Sequence, residues 1–129
     1  MRAGVAWGMP DATSRAHGDS MRMDLHELVG ELIEGLGPTL VQAMTGTKDR
    51  SMPARWARAD GPVPRQTAQD QLRLGYRVWS MMRETEGPRV AAAWLSGANP
   101  NLDEMTPITA IRELRAADVV GAAHAFIND

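Results

Sequence analysis

Apolar residues recur along most of this chain at the three- and four-residue steps of an α-helix. The clearest run is Leu25, Leu28, Val29, Leu32, Ile33 and Leu36. Asp24 stands before it as a candidate N-cap and Gly37-Pro38 after it as a stop, so the pattern predicts a first helix over 24–36. Leu40, Val41, Ala43 and Met44 predict a short second helix over 39–45, and Gly46-Thr47-Lys48-Asp49 a turn. Asp49 is placed to cap a third helix over 50–59, with Pro53 tolerated near its start because first-turn N–H groups lack intrahelical acceptors.

Gly61-Pro62-Val63-Pro64 forbids further helix. Thr67 is then expected to cap a long helix over 67–85, which carries Leu72, Leu74, Tyr76, Val78, Trp79, Met81 and Met82. Gly87-Pro88 opens another helix, in which Val90, Ala91, Trp94 and Leu95 share a face. Asn99-Pro100 signals a reversal, because asparagine bonds its own backbone and proline presets its dihedral. Thr106-Pro107 signals a new helix start, with Ile108, Ile111 and Leu114 behind it. Asp118 is expected to cap a last helix through Val119, Val120, Ala123 and Phe126. No segment alternates with the two-residue period of a strand. The expected fold is all-α, with six or seven helices.

Residues 1–22 show no apolar period and read as a flexible leader, so their deletion is expected to cost little stability. The chain lacks a signal-peptide pattern and any apolar run of membrane-spanning length, which predicts a cytoplasmic protein with no membrane partner. It has no cysteine, which removes disulfides and thiolate metal sites.

Charge changes the picture more than composition does. The net charge of −2 divides into −3 over residues 1–44, +5 over 45–83 and −4 over 84–129. The middle segment is therefore the one suited to a polyanion. Within it, the stretch 39–58 has the layout of two short helices joined by a turn, and its cations fall on the turn and the second helix. Lys48, Arg50, Ser51, Arg55, Arg58 and Arg65 are the candidate DNA contacts, and Trp56 is the anchor facing the core. An ordinary helical corner with a charged outer face has the same pattern.

Chemistry of other kinds finds no footing. His17, His26 and His124 are isolated from one another, and neither HxxxH nor HExxH occurs. Gly35-Leu36-Gly37 follows a helix, which is the wrong context for a dinucleotide loop. Asp103 and Glu104 are sequence neighbours on a turn and point apart, unlike a carboxylate pair sharing a proton. The expectation is a binding protein without catalytic residues, cofactor or metal.

The run WLSGANPNLDEMTPITAI at 94–111 resembles the hallmark of the Xre/MbcA/ParS toxin-binding domain, with its tryptophan-leucine pair, Asn-Pro-x-Leu loop and Pro-Ile helix start. The segment 39–56 and the following Val63-Pro64 resemble the Xre-like helix-turn-helix of the same proteins, including the Arg55-Trp56 pair; Pro53 departs from that pattern. The resemblance covers about residues 25–129. It implies a helix-turn-helix region over 23–66 and a toxin-binding helical domain over 67–129. It further implies an antitoxin of a type II pair, which blocks a RES-domain, NAD-degrading toxin and represses its own operator. Asn99, Asp103, Glu104, Asp118, Asn128 and Asp129 are then the candidate toxin contacts, and the carboxylates of Asp103, Glu104, Asp118 and Asp129 can occupy arginines built for phosphate. The alternative is a stand-alone transcription regulator without a toxin. Trp79, Met81 and Met82 offer more apolar surface than a small core obviously needs, so the long helix is also expected to pair in a homodimer.

Overall fold

The computed structural model describes residues 23–129, and the expected leader over 1–22 lies outside them. Seven α-helices and one 3₁₀ turn follow one another among the described residues, with no strand. They are α1 (Leu25–Leu36), α2 (Pro38–Thr45), α3 (Met52–Ala57), α4 (Gln66–Glu86), α5 (Pro88–Ser96), the turn Pro100–Leu102, α6 (Pro107–Arg112) and α7 (Ala116–Ile127). The all-helical class read from the apolar spacing is the one observed.

Several boundaries follow from local chemistry. Asp24 caps α1, its carboxylate accepting from the Glu27 N–H at 3.2 Å. Thr106 caps α6, accepting from the Thr109 N–H at 3.1 Å. Two joints share one design. Gly37 (φ 87°, ψ 157°) is the only residue between α1 and α2, Gly87 (φ 90°, ψ 163°) is the only one between α4 and α5, and a proline begins the next helix each time. Glycine alone enters that region of backbone space readily, and proline at the first position forfeits no hydrogen bond.

Three expectations are corrected. Thr67 does not cap α4, which begins one residue earlier, with extended Arg65 as its N-cap. Asp118 does not cap α7, which begins at Ala116; the Asp118 carboxylate lies in the first turn and accepts from Arg115 Nε at 3.0 Å. The third helix spans Met52–Ala57 and not the ten positions expected. The cause lies before it. Asp49 accepts both the Ser51 N–H (2.9 Å) and the Ser51 hydroxyl (2.7 Å), which closes a side-chain turn and delays the helix.

The central element is α4, which packs against α1, α2, α5, α6 and α7. Surrounded in this way, it buries Leu72, Leu74, Gly75, Tyr76, Val78, Trp79, Ser80, Met81 and Met82, which no single helix face could hold. Trp79, Met81 and Met82 are core side chains, 3%, 0% and 0% exposed, so the apolar surface expected to carry a homodimer is absent from this helix. One core, running from Leu25 to Ala123, joins residues before and after position 66.

Glu31 on α1 accepts a hydrogen bond of 2.8 Å from the buried Tyr76 hydroxyl. Burial and then the Glu31 carboxylate push the phenol up to about 12 from its ordinary 10.0. The folded state thus favours the neutral phenol. That contribution is complete below pH 10.0 and is lost as pH rises towards about 12. The melting temperature is expected to fall between pH 9 and pH 11, and by less in Tyr76→Phe. An equal fall in both proteins contradicts this assignment.

Candidate functional site

The first part of the basic segment, from Lys48 to Arg65, carries exposed cations. Asp49 and Ser51 shape the turn between α2 and α3, and Gly46 ends α2 in the left-handed conformation (φ 72°). Lys48, Arg50, Ser51, Arg55, Arg58 and Arg65 are all exposed. Trp56 points the other way and is 5% exposed, packed in the core with Pro53 buried beside it in sequence. His26 Nδ1 lies 2.6 Å from the Trp56 carbonyl oxygen, tying α3 to α1.

Two of the cations have carboxylate partners. Arg55 lies 3.9 Å from Asp49, and Arg58 meets both oxygens of Asp60 at 3.3 Å. Ser51 holds the Asp49 carboxyl below its usual range, first through its hydroxyl, and Arg58 does the same for Asp60. Such exposed pairs contribute little and yield to a competing phosphate. Arg65 also borders a cleft of about 510 Å³ whose walls include Thr47, Trp56, Val63 and Pro64.

The remaining cations of the basic segment are not part of that surface. Arg73 donates to the Met23 carbonyl at 3.2 Å, Arg83 stacks 4.2 Å from the Trp79 ring centre, and Arg77 has its Nε buried. The charge of +5 read from the sequence therefore mixes a solvent-facing cluster with three guanidinium groups drawn against the fold. With only six residues, α3 is about 9 Å long. Its exposed positions are Ala54 and Arg55, so one guanidinium projects from this helix and the other cations sit on the flanking loops.

The candidate toxin contacts divide by environment. Asn99 is 7% exposed and organises its loop. Its side chain accepts from the Asn101 N–H at 2.8 Å, and its carbonyl accepts from Leu102 and Glu104, both at 2.9 Å. Leu102 returns the loop to the core at 1% exposure. Asp103 and Glu104 follow with φ of 53° and 68° and are exposed, as are Asp118, Asn128 and Asp129. Asp118 is committed to Arg115. Two exposed acids bond through their backbone N–H to residues that line a groove. The Glu104 N–H bonds the Asn99 carbonyl, and the Asp129 N–H bonds the Phe126 carbonyl at 3.4 Å.

That groove, about 320 Å³, lies between α5 and α7. Val90, Ala93 and Trp94 line it from α5, Phe126 from α7, and Gly97 and Asn99 from the loop that follows α5. The Trp94 and Phe126 rings stand 6.2 Å apart, inclined at 54°. Val90 is 40% and Phe126 41% exposed. Helical spacing puts Val90 and Trp94 on one face with Ala91 and Leu95 and does not separate them. In the structure Ala91 and Leu95 enter the core, while Val90 and Trp94 form its uncovered edge.

Among the described residues no group of three or more His, Asp or Glu is placed to hold a metal, and no helix is long and apolar enough to cross a membrane. No protein-family model, curated protein or solved structure matches the chain.

Proposed function

We propose that this chain is an antitoxin that neutralises a protein partner with the α5–α7 end of its fold and contacts operator DNA through the turn and helix at 48–65. The observation that carries this reading is the placement of two differently built surfaces on one core. The basic surface borders α3, which packs on α1 and α2. The apolar groove is built from α5, α7 and the Asn99 loop. One surface suits phosphates and the other a protein. The resemblance at 94–111 supplies the class of partner, a RES-domain toxin that degrades NAD⁺, and the mode of action, occlusion of the toxin's substrate site. No catalytic step by this chain is required.

The test is co-expression with the protein encoded beside it. The expected result is co-purification of the two chains and restored growth and NAD⁺ level. A partner that stays toxic while this chain is folded and abundant refutes the reading.

The short α3 makes the expected DNA contact one that positions and hardly reads sequence, since a single side chain projects from the helix. Arg55→Ala and Arg58→Ala are each expected to flatten the salt dependence of operator binding by about one unit of logarithmic slope for each phosphate that is no longer neutralised. Unchanged affinity and slope in both variants would remove the DNA assignment and leave the toxin-binding one standing. If DNA binds and no toxin partner does, the chain is a stand-alone regulator.

A further inference from the structure

We propose that the cleft beside α3 and the start of α4 binds a small apolar carboxylate, with the ligand's body on the apolar walls and its charge on Arg65. This goes beyond the antitoxin reading and requires neither the toxin nor DNA.

Size, lining and charge each narrow the ligand. The volume of about 510 Å³ lies within the range of about 300–1,000 Å³ in which proteins hold small molecules. Met52 and Trp56 line the cleft from α3, Val63 and Pro64 from the segment that follows, and Gln71 from α4. Trp56, Pro64 and Gln71 are buried, whereas Val63 is 68% exposed. Apolar surface is thus presented from the core outwards to a residue that water still covers, and a ligand with a small ring system would displace that water.

Arg65 is the one charged residue among those that line the cleft. It is exposed, and among the described residues its side chain has no hydrogen-bond or ion-pair partner. The acids on either side of it in sequence are engaged elsewhere: Asp60 meets Arg58 at 3.3 Å, and Asp70 accepts from the Gln66 side chain at 2.9 Å. The other polar lining residues are threonines and Gln71, all uncharged, and Gln71 Nε2 is held by the Arg112 carbonyl at 2.7 Å. The walls therefore carry a single positive charge. A guanidinium offers two parallel N–H donors, the geometry a carboxylate accepts. One unit of negative charge is matched there; a phosphate monoester brings nearly two, and a cationic ligand is repelled.

The experiment titrates isotope-labelled full-length protein with naphthalene-1-acetate, naphthalene-1-acetamide, 1-naphthyl phosphate and acetate. Naphthalene-1-acetate is expected to shift the Trp56 indole resonance and the amides of Arg65 and Thr67. It is expected to bind about fivefold more tightly than its amide, the upper end for an ion pair that water still reaches. Acetate, which has no apolar body, is expected to shift nothing at the same millimolar concentration, and 1-naphthyl phosphate to bind no more tightly than naphthalene-1-acetate. Arg65→Gln is expected to keep the rest of the spectrum and the affinity for the amide, and to lose the preference for the acid. Val63→Ser is expected to weaken both. Equal binding of acid and amide by the unaltered protein, a preference that survives Arg65→Gln, or tighter binding of the phosphate overturns the proposal. So does a response at Trp94 and Phe126 in place of Trp56, or no response at millimolar ligand. A dimer in sedimentation that Val63→Ser dissociates also overturns it, because a second copy of the chain then fills the cleft.

Discussion

Gly35→Ala is expected to lower the melting temperature, and Gly30→Ala, in the same helix, to raise it. A methyl group in a helix interior ordinarily stabilises by up to about 1 kcal/mol over glycine, because glycine has more backbone freedom to lose. Gly30 has open space where a Cβ would stand, so the ordinary gain is expected there. Gly35 faces the six-membered ring of Trp79, which a Cβ would overlap. That ring cannot swing aside freely. It is 3% exposed, meets Tyr76 edge-on with centroids 5.7 Å apart, and carries the Arg83 guanidinium on its face. Either α1 retreats from α4 or the indole leaves its place. Overpacking of this kind costs about 1–3 kcal/mol, enough to reverse the sign. Thermal melts of the two variants decide the matter; stabilisation by both would show that α1 and α4 do not approach as closely as Gly35 implies.

A larger loss is expected from Trp56→Ala. Removing a buried indole costs about 3–5 kcal/mol, out of a total stability of about 5–15 kcal/mol for a domain. The effect is also expected to be uneven. At six residues, α3 is too short to hold its shape without tertiary contact, and Trp56 with Pro53 supplies its buried face. The amides of α3 and the adjoining turn are expected to exchange faster than those of α4, and operator affinity to fall further than the loss of folded protein explains. Trp56→Phe is expected to lie between. A loss below about 1 kcal/mol, well under the ordinary cost of such a truncation, or uniform acceleration of exchange, would mean that α3 is held by other contacts.

Helix existence is legible in the sequence, and so are the ends marked by strong chemistry: Asp24, Gly37-Pro38, Gly87-Pro88 and Thr106-Pro107. The misplaced ends are those where two residues compete. Thr67 has the better capping side chain, yet Arg65 is the extended residue and helix geometry begins at once after it. Asp49 is a good cap by composition, but Ser51 two residues on captures its carboxylate first. The central helix shows a deeper limit. Apolar spacing identifies one face, and the excess apolar residues of α4 then point to a second copy of the chain. The helix is instead enclosed by five others of its own chain, information that resides in the packing of distant segments. The groove is hidden for the same reason: Val90 and Leu95 are equally apolar, and only the way α5 packs on the core decides that Leu95 is covered and Val90 is not. The basic cluster is visible in the sequence with its size overstated, because charge counts do not distinguish guanidinium groups that point to solvent from those, like Arg83, that lie on an aromatic ring.

The joints at Gly37 and Gly87 have a consequence that concerns handedness. A Cβ at either position would meet nothing within 4 Å, so bulk is no obstacle. The obstacle is the sign of φ, 87° at Gly37 and 90° at Gly87. Reflected through the mirror, each joint has the dihedrals of ordinary extended chain, open to any side chain of the opposite configuration. These two one-residue joints of an all-L protein are therefore places where the backbone follows the rules of its enantiomer, and glycine is there as the one encoded residue that belongs to both hands.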